Sequence, residues 1–140
     1  MPLWNVYHPA GVYTEEEKRE FAGRVTSHYA GRGLPRFYVG VLFHEVDRDS
    51  FYVGGEPTSD VVRITIDHIA RHIADPAGRE SSRQLINAVI QPFAAGKGLR
   101  WEFHVDETPR DLWMINGLVP PPAGSDAEKR WVRENRAIPS

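Results

Sequence analysis

The same order of elements, strand then helix then strand, occurs twice along this chain of 140 residues. Strands are indicated by short apolar or alternating segments, and helices by apolar side chains at three- and four-residue spacing. The predicted elements lie at 3–8, 14–31 and 36–46 in the first half and at 61–69, 75–98 and 99–107 in the second. Between the halves, residues 47–60 contain "GG" and a proline and are predicted as a loop. The chain therefore reads as two tandem β-α-β units.

This succession predicts an α/β (α+β) fold with a four-stranded mixed sheet and two helices on one face. The strands within each unit should be parallel, because a crossover helix connects them. Residues 36–46 carry apolar side chains on both faces, which is typical of a strand covered on both sides. The helices cover one face only, so we expect other subunits to cover the second.

The helix ends carry recognisable signals. Thr14 and Glu17 form a capping box before the first helix, whose apolar face is Phe21, Val25 and Tyr29. Asp75 and Pro76 begin the second helix, and Pro92 should kink or end it early. Its predicted apolar face comprises Leu85, Ile86, Val89, Ile90 and Phe93.

The last two strands alternate cleanly between apolar and polar side chains. One predicted face carries Val62, Ile64 and Ile66 in one strand and Trp101, Phe103 and Val105 in the other. The opposite face carries Arg63, Thr65 and Asp67 with Glu102, His104 and Asp106.

The C-terminal part reads as an extended linker, 118–124, and a short helix, 125–135. Ser125 and Glu128 are spaced as a second capping box, and Trp131 should anchor the helix on this chain or on a neighbour. We thus predict a domain over 1–124 and a short C-terminal helix and tail over 125–140.

Composition excludes several classes of function. The formal net charge is −2 and no run of basic residues occurs, so neither nucleic acid nor an anionic membrane is an expected partner. No apolar run has the roughly 18 residues of a bilayer span, and no secretory signal is evident. Cysteine is absent, which excludes disulfides and thiol catalysis. A cytoplasmic protein is the expectation.

Pro2 directly follows the initiator methionine, at the head of the first strand. A second residue this small normally allows the methionine to be removed, and the proline nitrogen then becomes a secondary amine. Such an amine has an ordinary pKa of about 7.7–8.0, close to that of a general base at neutral pH. The alternative is a strand that happens to begin with proline, a position that tolerates it.

Four pieces of the sequence carry a resemblance over residues 2–124: Pro2, "FYVGG" (51–55), "HIAR" (68–71) and "ETPRDLWMINGLVPPP" (107–122). Together they resemble the tautomerase superfamily, and within it the cis-3-chloroacrylic acid dehalogenase-like group with its oxalocrotonate tautomerase homologues. The resemblance implies catalysis by an amino-terminal proline, a small carboxylate substrate, a homotrimer and no cofactor.

The resemblance also implies site residues. Pro2 matches the proline base, and Arg71 matches an arginine that binds the substrate carboxylate. His28 or Tyr29 falls at the helix position, where His28 is favoured as catalytic and Tyr29 as substrate-binding. His104 stands where the group has a tyrosine and is the third catalytic candidate. A second arginine falls on Ala74 and a water-activating glutamate on Ile115, so both are missing, and the neighbouring Asn116 is the remaining substrate-binding candidate.

The leading hypothesis is a keto–enol tautomerase or double-bond isomerase. The missing glutamate counts against the alternative, a cis-3-haloacrylate dehalogenase or hydratase. A catalytically inactive trimeric binding protein is the other alternative. His68 and His72 are four residues apart, but they lie on a predicted strand without a third ligand, so no metal site is expected.

Overall fold

The computed structural model describes residues 1–140. Strands are β1 (Pro2–Pro9), β2 (Gly40–Val46), β3 (Tyr52–Val53), β4 (Glu56–Pro57), β5 (Val61–Ile69) and β6 (Arg100–Thr108). Helices are α1 (Glu15–Ala30), α2 (Pro76–Ile90) and α3 (Asp126–Glu134). No helix combines the length and apolar character needed to cross a membrane.

The main sheet has the order β2-β1-β5-β6. β1 pairs in parallel with β2, and β5 pairs in parallel with β6, as each β-α-β unit requires. The two units meet where β1 runs antiparallel to β5, with Pro2 opposite His68 and Trp4 opposite Ile66. The predicted mixed four-stranded fold is confirmed. This pairing also places the beginning of β1 beside the end of β5.

The core lies between this sheet and α1 and α2. Trp4 and Val6 of β1 and Val62, Ile64 and Ile66 of β5 are fully buried against both helices. Phe21 of α1 stacks on Phe93, just after α2, with ring centroids 4.3 Å apart. The alternation predicted for residues 61–69 is confirmed in β5.

Local chemistry sets the helix ends as predicted. Thr14 accepts from the amide of Glu17 while the Glu17 carboxylate accepts from the amide of Thr14, which completes the capping box. Asp75 caps α2 through the amide of Gly78, and Pro76 occupies the first turn. α2 ends at Ile90, and a short 3-10 turn containing Pro92 follows it.

Three details differ from the sequence prediction. Residues 36–38 form a 3-10 turn after Pro35, so the second strand begins only at Gly40. Leu85 is 43% exposed because it lies at the edge of the α2 face rather than in its centre. The predicted loop 47–60 contains the β3-β4 hairpin, whose turn residues Gly54 and Gly55 have positive φ.

The sheet face opposite the helices is more polar than predicted. In β2, Leu42 and His44 share that face with Asn5 and Tyr7 of β1. Tyr7 stacks on His44, which is hydrogen-bonded to Asn5 at 2.8 Å. The apolar side chains Val41 and Phe43 turn instead toward the core.

The C-terminal helix packs on its own chain. Trp131 is buried against Phe37 and Tyr38, and its indole N–H donates to the carbonyl of Ile138. Ser125 accepts from the amide of Glu128, but the Glu128 carboxylate does not return to Ser125. Only half of the second predicted capping box forms, because that carboxylate has other partners.

Candidate active site

A cavity of about 300 Å³ opens where β1 begins and β5 ends. α1 contributes its last turn, and the segment after β5 contributes Arg71 and its neighbours. The lining consists of Met1, Pro2, His28, Tyr29, Arg32, Leu34, His68, Ile69, Arg71, His72, Ile73 and Ser82. These residues include two arginines and no carboxylate, so the walls favour an anionic ligand of small size.

Met1 extends β1 alongside the last residue of β5. Its amino group donates to the carbonyl oxygen of Ile69 at 2.7 Å, and the Ile69 amide donates back to the Met1 carbonyl at 3.0 Å. Pro2 is buried directly behind it. Removal of Met1 would convert the Pro2 nitrogen into an amine at this cavity and free the Ile69 amide beside it.

The environment at this chain end disfavours a charged amine. Burial, and after it the nearby charge of Arg71, lowers the pKa of the Met1 amine from 8.0 to about 5, against a weaker opposing effect of Glu128. Desolvation and a neighbouring cation both destabilise an ammonium ion. An amine at this position is therefore neutral, and basic, at neutral pH.

Tyr29 and His68 form a buried pair in the wall of the cavity. The Tyr29 hydroxyl lies 2.7 Å from Nε2 of His68 and 3.1 Å from Nε1 of Trp4. An indole N–H can only donate, so the tyrosine oxygen accepts that bond, and the imidazole tautomer of His68 sets the direction of the other. Burial raises the pKa of Tyr29 to about 12 and lowers that of His68 to about 4. Both groups are neutral at pH 7.

His68 should make the protein less stable in mild acid. Its folded-state pKa of about 4 is below the ordinary 6.5, so the unfolded chain binds the proton first as the pH falls. Between pH 7 and pH 5 this linkage should remove about 2 kcal/mol of unfolding free energy. Urea denaturation at both pH values should show a smaller loss in His68→Gln than in the wild type. Equal losses would contradict the assignment.

Arg71 is held from outside the cavity by the C-terminal helix. Its Nη2 lies 3.3 Å and 3.4 Å from the two carboxylate oxygens of Glu128. The other guanidinium nitrogens have no protein partner, and about a third of the side chain is exposed. Arg71 can therefore bind a ligand carboxylate with its remaining N–H groups while Glu128 retains Nη2.

Arg32 is the second cation of the cavity wall. It follows the end of α1, is exposed, and its guanidinium takes part in no ion pair. Its charge acts on the interior of the site, since it helps to lower the pKa of His28, after the larger effect of burial. An uncompensated guanidinium facing a small cavity is an anion-binding group.

Four of the predicted site residues come together around this cavity: Pro2, His28, Tyr29 and Arg71. His28 and Tyr29 are both present, and Tyr29 is the more deeply buried. Because both side chains lie on the last turn of α1, the structure does not choose one of them for the site. The two residues can differ only in the role that each has there.

His104 and Asn116 lie away from Pro2. His104 is on the sheet face opposite the helices, where its Nδ1 lies 2.7 Å from Nη2 of Arg63 and its Nε2 3.4 Å from Asp106. Asn116 and Gly117 have positive φ and form a tight two-residue turn between Ile115 and Leu118. Within one chain neither side chain reaches the cavity.

The two histidines of "HIARH" have separate partners. His68 bonds to Tyr29, and Nδ1 of His72 lies 3.0 Å from the Glu107 carboxylate. No group of three or more histidine or acidic side chains is arranged to hold a metal ion.

Sequence reasoning missed three residues of this region: Arg32, His68 as the partner of Tyr29, and Glu128. The signal for His68 was available, because the alternation that buries Val62, Ile64 and Ile66 also places residue 68 on the helix-covered face. Glu128 gave no such signal, since its contact with Arg71 spans 57 residues.

Comparison with known proteins agrees with this geometry. Residues 1–136 match the family model described as "Putative oxalocrotonate tautomerase enzyme". The chain belongs to this tautomerase family. The predicted membership in the tautomerase superfamily, in its cis-3-chloroacrylic acid dehalogenase-like group, is confirmed. A search of curated proteins finds no match.

Several solved structures have the same fold. Native RhCC from Rhodococcus jostii RHA1 is 42% identical, with 99% of each chain covered and a TM-score of 0.96. A probable enzyme from the fungus Aspergillus fumigatus is 44% identical, covering 100% of this chain and 98% of its own, with a TM-score of 0.94. N1, a member of the cis-3-chloroacrylic acid dehalogenase family, is 20% identical over 95% of this chain and 97% of its own, with a TM-score of 0.73.

Proposed function

We propose that this tautomerase-family chain is an isomerase that uses the amine of Pro2, exposed by removal of Met1, as its general base on a small carboxylate. The observation that carries the proposal is the position of Pro2: it is buried at a cavity of about 300 Å³ whose lining has two arginines and no acid. The same environment lowers the pKa of an amine, through burial and Arg71.

The reaction we infer is a proton transfer within one substrate. The neutral Pro2 amine takes the proton from an enol hydroxyl and returns it to a carbon of the conjugated chain, which yields the ketone. Arg71 binds the carboxylate through its free N–H groups, and the resulting electron withdrawal stabilises the enolate-like transition state. The products contain the same atoms as the substrate, so no cofactor is consumed.

The uncharged side chains around the amine support this chemistry. His28, His68 and Tyr29 are uncharged at pH 7, so none competes with the arginines for the substrate carboxylate. Tyr29 and His68 are hydrogen-bonded to each other, so they form part of the cavity wall without adding charge to it.

The direct experiment combines an intact-mass measurement with ketonisation assays on 2-hydroxy-2,4-dienoates and phenylenolpyruvate. We expect a mass lacking Met1 and ketonisation faster than in buffer. A processed protein that hydrolyses 3-chloroacrylate efficiently would favour the dehalogenase alternative. We expect that hydrolysis to be slow, because no carboxylate lines the cavity and both oxygens of Glu128 contact Arg71.

Arg32→Gln should weaken substrate binding. Loss of one exposed charge-assisted contact costs about 1 kcal/mol, so KM should rise about fivefold while kcat changes little. Arg36→Gln, an exposed arginine four residues further along and outside the cavity, is the control and should leave KM unchanged. Identical KM values in the two variants would remove Arg32 from the binding site.

We further propose that the chain assembles as a homotrimer. Leu112, Met114 and Val119 are 76%, 62% and 69% exposed, and the outer sheet face carries Leu42 uncovered. His104 lies on this outer sheet face, outside the cavity of its own chain, so only such an assembly would give it a part in a site. Sedimentation as a stable monomer at micromolar concentration would contradict this.

A further inference from the structure

The C-terminal helix reaches the candidate site through one side chain, Glu128. It is 5% exposed, accepts from the amide of Gly124 at 3.0 Å, and contacts Nη2 of Arg71 with both oxygens. Its own backbone amide is capped by Ser125. Glu128 is therefore fixed at its backbone and at its carboxylate before any ligand binds.

Met1 separates this carboxylate from the main cavity. A second, much smaller cavity of about 10 Å³ adjoins the first, and Met1, Ile69 and Arg71 line both. The lining of the second cavity also includes Tyr38, Arg110 and Glu128. Removal of Met1 would join the two spaces, so that the Pro2 amine would face Arg71 and Glu128 together.

The buried hydroxyl of Tyr38 supports this arrangement. It lines the same small cavity and has no hydrogen-bond partner. A buried polar group without a partner is rare and calls for a specific explanation. The space vacated by Met1 would give this hydroxyl access to water or to ligand.

We propose that Glu128 is a positioning residue of this site: it aims Arg71 into the cavity and partly offsets the effect of the Arg71 charge on the Pro2 amine. The proposal rests on the proposed function for its kinetic part only. Arg71 has one nitrogen bound and the others free, which is the geometry of a guanidinium held for a second, external carboxylate.

The charges facing the amine come from several elements, and they act in opposite directions. After burial, Arg71 lowers the pKa of the Met1 amine and Glu128 raises it, and we expect the same signs at the Pro2 amine. The other titratable or charged groups around it are His28, Arg32, His68, His72, Tyr38 and Arg110. Glu128 is the only carboxylate among the charges that act on the Met1 amine. Glu107 contacts His72 but lines neither cavity.

The test is a titration of the terminal amine in protein labelled with 15N-proline, in which only an N-terminal proline nitrogen titrates. Glu128→Gln keeps an oxygen acceptor for Arg71 and removes the charge, so the amine pKa should fall by about one unit. Glu128→Asp keeps the charge and shortens the reach, so the pKa should stay close to the wild-type value. Glu134→Gln, on the exposed part of the same helix, is the matched control and should cause no shift.

Kinetics provide the second measurement. Because Glu128→Asp withdraws the carboxylate that orients Arg71, KM should rise about tenfold with kcat nearly unchanged. A wild-type amine pKa in Glu128→Gln, or a wild-type KM in Glu128→Asp, would overturn the proposal. Should Glu128→Gln fail to fold by circular dichroism, the KM of Glu128→Asp decides the proposal, because that variant keeps the charge and changes only the reach of the carboxylate.

The two proposals fail in different ways. An amine that titrates as described in a protein without tautomerase activity would contradict the proposed function and leave the electrostatic role of Glu128 standing. Full tautomerase activity, with an amine pKa that does not change in Glu128→Gln, would contradict the role of Glu128 and leave the proposed function standing.

Discussion

One additional residue ahead of Pro2 should abolish tautomerase activity. A residue inserted before Pro2, or a retained Met1, leaves the Pro2 nitrogen as an amide without basicity. Because general base catalysis contributes about 10²–10⁴-fold, kcat/KM should fall by at least about a hundredfold. Ketonisation of a 2-hydroxy-2,4-dienoate measures this, with intact mass to define each N-terminus.

The control is Pro2→Ala, which leaves a primary amine at the same position after processing. It should retain reduced activity, because the base is present but less constrained. Both variants should fold as the wild type does, since proline at the start of a strand gives no hydrogen bond to the sheet in either form. Full activity in the extended variant would exclude Pro2 from the mechanism and direct attention to His28 and His68.

Arg71→Ala should have the next largest effect. The loss of a charge-assisted hydrogen bond to the substrate carboxylate costs about 1.5–3 kcal/mol, which corresponds to about a 10–150-fold rise in KM. The substitution also removes a cation that lowers the pKa of the terminal amine. The ascending limb of the pH profile of kcat/KM should therefore move to higher pH.

Arg36→Ala is the control for this change, because Arg36 is exposed and outside the cavity. Glu128 would be left without its partner in Arg71→Ala, so thermal unfolding should accompany the kinetics. Unchanged KM and an unchanged pH profile in a folded Arg71→Ala protein would show that Arg71 only anchors α3.

The order and class of the elements could be predicted from the sequence because each depends on local pattern. The alternation in 61–69 and the cap at Thr14 both act over a few residues, and the structure retains both. The beginning of β2 was misplaced because residues 36–38 have strand-forming side chains, whereas the turn after Pro35 determines their backbone.

The candidate site was predictable where it depends on strand ends and helix turns. Pro2, Tyr29 and Arg71 approach one another because β1 pairs antiparallel with β5 beneath the last turn of α1. Glu128 was not predictable, because its contact depends on how a distant C-terminal helix returns across Tyr38. Asn116 was a candidate because it follows Ile115, where the resemblance implies a glutamate, whereas its positive φ accounts for its presence in a tight turn.

The central claim, that the Pro2 nitrogen is the reactive base, is tested most directly by covalent labelling at pH 7. A neutral, accessible amine attacks an electrophilic acetylenic carboxylate such as 3-bromopropiolate, and peptide mass spectrometry locates the adduct. We predict one adduct per chain on Pro2, loss of activity in proportion to labelling, and much slower labelling in Arg71→Ala. Labelling elsewhere with activity retained, or none on Pro2 in the processed protein, would contradict the account.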